Sequence, residues 1–122
     1  MKKRIALVFM VLATISAALL ATTSALARSA ATPVTITVIE KEFSFKLSRT
    51  SVPVGTVVTF KITNKGLSAH DFDFSGGKGT PFIGPGKTYT EKVTFSKKGI
   101  FRYTCTVPRH AQLGMAGTFS VK

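Results

Sequence analysis

The strongest constraint on this chain is a hydrophobic repeat of two that runs from Thr32 towards the C-terminus. Val34, Ile36 and Val38 alternate with Thr35 and Thr37. Phe43, Phe45 and Leu47 alternate with Ser44 and Lys46, and Val58, Phe60 and Ile62 with Thr59 and Lys61. The pattern returns at His70-Asp71-Phe72-Asp73-Phe74, at Val93 and Phe95, at Phe101, Tyr103 and Cys105, and at Phe119 and Val121. A strand points successive side chains to opposite faces, so each stretch is built to bury one face and wet the other. β-branched and aromatic residues fill them, as a half-buried pleated surface prefers. Gly- and Pro-bearing turn signals at 53–55, 64–66, 75–79, 84–86 and 97–99 separate them. No segment carries a convincing helical repeat. Seven short strands at this spacing predict an all-β fold, a β-sandwich with one face of each sheet buried.

Upstream of the repeat the chain changes character. Met1-Lys2-Lys3-Arg4 is a basic start, residues 5–20 are uncharged and mostly apolar, and Ala25-Leu26-Ala27 is a small-residue stop. That order reads as a secretory signal peptide over 1–27, followed by one domain over 28–122 with a loose tail at 28–32. The rival is an uncleaved anchor, because 5–27 spans 23 residues. Either way the domain is expected in the periplasm or outside the cell. Residues 28–122 hold 14 basic and five acidic side chains, a net charge of +9. Such a surface either is simply well solvated or attracts an acidic protein, an anionic membrane surface or nucleic acid, the last least expected of an exported product.

The same counts exclude other classes. One Cys rules out a disulfide framework and multi-cysteine zinc arrays. Five carboxylates leave little room for paired acid–base chemistry, and ten Phe in a 44% apolar chain rule out disorder. Gly86-Lys87-Thr88 matches the end of a phosphate-binding loop, but Pro81 stands where that loop needs Gly, and no helix follows. It reads as a turn.

Beyond residue 27 the chain has one Cys, one Met and two His. Three of these four fall in Cys105-Thr-Val-Pro-Arg-His110-Ala-Gln-Leu-Gly-Met115, a C-x4-H-x4-M run, and the fourth, His70, lies on an expected strand. Taken singly each has an ordinary role: a buried thiol, a polar imidazole, a packing thioether. Together they gather the domain's soft donors at one address. A thiolate, two imidazoles and a weak thioether suit copper in a trigonal site; zinc has little use for the thioether, and iron–sulfur clusters need more cysteines. Five extended steps from Cys105 to His110 would cover roughly 16 Å, so a shared ion requires this segment to wrap back. Pro108 and Gly114 suit such a wrap.

On these residues the sequence resembles the cupredoxins, the blue (type 1) copper proteins of the plastocyanin, azurin and rusticyanin kind. The resemblance covers nearly all of 33–122 and includes Ser68-Ala69-His70-Asp71-Phe72, Pro85-Gly86, the 99–105 stretch and Gly114-Met115-Ala116-Gly117-Thr118. It implies a Greek-key sandwich holding one copper ion, with His70, Cys105 and His110 as equatorial ligands and Met115 as the axial one. It also implies one-electron transfer between redox partners rather than enzymatic catalysis. The partners expected are proteins such as a cytochrome, an oxidase or a reductase, acidic ones favoured, met by a monomer through the His110 edge ringed by Pro108, Ala111, Leu113 and Ala116. A copper-delivery protein is the alternative, and a metal-free binding sandwich a third reading. The family often has Asn after the first His and Gly before the second. Here Asp71 and Arg109 stand there, Asp71 either steadying the Cys loop or facing solvent, Arg109 either a charge near the metal edge or a solvated side chain.

Overall fold

A computed structural model of the chain describes residues 32–74 and 78–122. The expected signal peptide, its cleavage point and the 28–31 part of the tail lie outside the described residues. Among the described residues no helix is long and apolar enough to cross a membrane.

The strands are β1 (Val34–Lys41), β2 (Ser44–Leu47), β3 (Ser51–Val52), β4 (Val57–Asn64), β5 (Asp73–Phe74), β6 (Lys78–Gly79), β7 (Thr88–Thr94), β8 (Gly99–Thr104) and β9 (Ala116–Val121). They form two sheets, a four-stranded one in the order β2-β1-β4-β7 and a five-stranded one in the order β3-β9-β8-β5-β6. The chain crosses between sheets, so β1 and β4 pair in parallel, with Val34 opposite Val58 and Val38 opposite Ile62. In the second sheet β3 runs parallel to β9, whereas β8 pairs antiparallel with β9 and β5.

The all-β sandwich read from the alternation is therefore the fold. Its inward residues do what a period of two requires: Ile36 and Val38 on β1 and Val58, Phe60 and Ile62 on β4 are fully buried. Phe60 sits at the centre of an aromatic cluster, with Phe72, Phe74, Phe95 and Phe119 rings at 5.3–6.4 Å, tilted or edge-on. Each of the seven expected stretches contains a strand, and two strands of two residues, β3 and β6, add to them. The phosphate-loop-like segment is indeed a turn, with Gly86 at φ +73° and the Lys87 amide bonded to the Gly84 carbonyl at 3.1 Å.

One expected strand is shorter than its alternation suggests. Within residues 70–74 the ladder begins only at Asp73, and His70 makes an isolated bridge with Ile83 instead. Side chains take up backbone groups on both sides of this bridge, the Phe72 amide donating to the Thr80 hydroxyl at 3.0 Å. Asn64 Nδ2 donates to the carbonyls of Ser68 and Ile83, at 2.7 Å each, and its Oδ1 accepts the Gly66 amide at 2.8 Å.

Candidate metal centre

The C-x4-H-x4-M segment wraps back on itself, as ligands around one ion would require. The His110 amide donates to Val107 O and the Gly114 amide to Ala111 O, both at 3.1 Å, which makes two tight turns. The Met115 amide then donates to the His110 carbonyl and the Cys105 amide to the Met115 carbonyl, both at 3.0 Å. Backbone hydrogen bonds thus tie together the three donor-bearing residues at the crossing from β8 to β9. Gly114 takes φ +115°, open to glycine and strained for any other residue. Arg109 takes φ +73°, in the left-handed region. This explains why the related pattern favours Gly before the second His, and it leaves Arg109 solvent-exposed.

His70 comes to the same place from the segment just before β5, the strand that pairs with β8. Its backbone exchanges two hydrogen bonds with Ile83, at 3.2 and 2.6 Å, and its side chain is fully buried. His70 Nδ1 lies 3.2 Å from His110 Nδ1, which in turn lies 3.6 Å from Cys105 Sγ. The potential ligand atoms of His70, Cys105 and His110 all fall within 4.8 Å of one another. Met115 is fully buried at the end of the same loop. The sequence-derived residues therefore converge, three through their donor atoms and the fourth through its backbone.

Burial raises the Cys105 thiol above its ordinary value, with the Asp71 carboxylate adding to the rise and the Asp71 and Val107 amides opposing it. Asp71 is buried and does steady the Cys loop: Oδ1 accepts the Thr106 amide at 2.7 Å and Oδ2 the Thr106 hydroxyl at 2.5 Å. A deprotonated sulfur in this pocket needs positive charge beside it, and a cation among the two imidazoles would supply it.

Two acids escaped the sequence reading. Glu42, in the turn between β1 and β2, accepts the Leu67 and Ser68 amides on one oxygen at 2.6 and 2.7 Å. The same oxygen lies 3.3 Å from His70 Nε2. Its own backbone amide and that of Ser68, more than His70, hold its carboxyl down at about 2. Glu40 occupies the inward position of β1 after Ile36 and Val38, wholly buried, with neither carboxylate oxygen hydrogen-bonded. Desolvation, then repulsion from Asp71, pushes it up to about 7. The signal that could have found both is scarcity: in a chain with five acids, four lie between residues 40 and 73.

On the outside, Ser68, Ala69, Phe82, Val107, Pro108 and His110 line a shallow depression. Phe82, 63% exposed, belongs to this rim although the sequence reading left it out. Phe43 packs edge-on against the His110 ring at 5.0 Å and steadies its orientation.

A two-sheet sandwich that gathers one thiol, two imidazoles and a thioether-bearing loop between two strands defines a type 1 copper site of the cupredoxin class. The chain belongs to the cupredoxin-like domain family, whose family model it matches over residues 6–116. No curated protein sequence matches it. Among solved structures it is similar to a dithionite-reduced auracyanin from Roseiflexus castenholzii, 21% identical, TM-score 0.62, over 76% of this chain and 98% of that one. Auracyanin A, a "blue" copper protein from Chloroflexus aurantiacus, is also 21% identical, with TM-score 0.63 over 75% of this chain and 100% of that one. Reduced rusticyanin, 21% identical, aligns at TM-score 0.58 over 72% of this chain and 79% of that one.

Proposed function

We propose that this protein is an exported one-electron carrier whose copper would be held by His70, Cys105 and His110, with Met115 as a weaker fourth donor. The convergence of the three donor atoms within 4.8 Å carries the reading. Bound copper would supply a one-electron couple. The chain's own part is to fix the donors before binding: Ile83 and Asn64 hold His70, Asp71 holds the Cys105 loop, and the Met115 backbone clips both ends of that loop. Such rigidity keeps rearrangement small when charge changes. With all four donors provided by side chains, no position is reserved for a substrate, which favours a carrier over an enzyme. The depression with Phe82, Pro108 and His110 offers a small apolar contact of the kind that suits brief docking.

The test is electronic absorption of the protein loaded with Cu(II). An intense thiolate-to-copper charge-transfer band, reversibly bleached by reductant and absent in Cys105→Ser, is the expected result. A pale complex would instead favour copper delivery, and no binding at all would leave a metal-free sandwich.

A further inference from the structure

Glu42 ties the β1–β2 turn to the segment that carries His70. It stands in the turn after β1, yet its carboxylate reaches a segment 25 residues further along the chain, accepting the Leu67 and Ser68 amides on Oε1. That oxygen also faces His70 Nε2. The seat is tight: a Cβ placed on Gly66 would fall 2.6 Å from Oε1, so the backbone there is bare where the carboxylate lies. An ionised carboxylate can only accept, so the ring nitrogen facing it must carry the proton. His70 is thereby fixed as the Nε2–H tautomer, with the Nδ1 lone pair turned toward His110 and Cys105.

We propose that Glu42 is the positioning residue of this site, its negative charge locking His70 in the metal-binding tautomer and biasing the centre toward the more highly charged Cu(II). The second half rests on the copper reading above; the first does not. A carboxylate behind a ligating imidazole strengthens the ring as a donor, and loss of such partners commonly changes metal affinity about tenfold or more. The more positive oxidation state gains most from the added electron density and from the anion's field.

Glu42→Gln separates charge from geometry, because the amide oxygen can accept the same three hydrogen bonds. The ratio of Cu(II) to Cu(I) affinity should fall about tenfold, read as a rise of about 59 mV in the reduction potential. In the metal-free protein, 15N chemical shifts of His70 should show the Nε2–H tautomer, and Glu42→Ala should mix the two tautomers. A change of less than about twofold in the affinity ratio for Glu42→Gln overturns the charge effect. An Nδ1–H tautomer in the parent protein overturns the positioning role, even if Glu42→Ala does not fold. Failure of the parent to form a blue complex would sink the electron-carrier reading instead, with the tautomer measurement still deciding Glu42.

Discussion

At the scale of single residues, the charges placed inside the sandwich set its response to pH. Glu40 ionises at about 7 when folded, against an ordinary value of 4.5. Between those values the folded state keeps a proton that the unfolded chain has lost, so stability falls as pH rises through this window. A tenfold difference in proton affinity between the two states corresponds to about 1.4 kcal/mol, and after allowance for relaxation the loss by pH 7 is roughly 2 kcal/mol. Glu42 acts with the opposite sign and lower down: its depressed value gives stability present above 4.5 and lost as pH falls toward 2. Glu40→Gln should therefore flatten the decline between pH 4.5 and 7 and make the protein more stable at neutrality. Urea unfolding of the metal-free protein across that range checks it, and an unchanged slope would mean that another group titrates. The sequence displayed Glu40 as the next inward position after Ile36 and Val38, yet alternation alone does not say whether a strand runs on to residue 40. Glu42 was less legible still, since its partners lie 25 to 28 residues away and only the folded chain brings them together.

At the scale of elements, the long strands were readable and their partners were not. Alternation tells which face of β1 is buried, but not that β1 lies parallel to β4, because that pairing depends on a crossing of the chain between sheets. The two-residue β3 and β6 are too short to show a period. The donor loop was legible for a different reason: three rare residue types at fixed spacing leave few chemical readings, and spacing alone required the turn-back that the 105–115 hydrogen bonds provide. What spacing could not supply was the scaffold around His70, where a short bridge replaces the expected strand. Asn64 carries that scaffold, fully buried with its amide donating to Ser68 O and Ile83 O and accepting from Gly66. Asn64→Ala would leave two carbonyls and one amide without this partner, at a cost of about 2–3 kcal/mol. For a domain of this size the melting temperature should drop by roughly 10 °C or more. His70 should lose its fixed position too, seen as weakened copper binding, whereas a change with neither effect would show that Ile83 alone holds the ring.

At the scale of the whole molecule, charge and shape divide the surface into two functions. Over residues 28–122 fourteen basic residues stand against five acids, and two of those acids, Glu40 and Asp71, are buried, so the field outside is strongly positive. Around His110 the surface is apolar instead, with Phe82 and Leu113 63% and 54% exposed. On the electron-carrier reading, long-range attraction and short-range contact would fall to different residues: the first would bring a partner near, the second would align it over the His110 edge without holding it. The consequence is a specific salt dependence. Screening shortens the reach of the field from about 10 Å at 0.1 M salt to about 3 Å at 1 M. Electron exchange with an acidic cytochrome, followed by stopped-flow absorption, should slow by roughly tenfold or more over that range, and exchange with a basic one should quicken. Phe82→Ala should slow both at every salt concentration by a similar factor, because the contact it removes carries no charge. Rates that ignore salt with both cytochromes would mean that the basic surface does not steer, and the docking face would then have to be sought away from it.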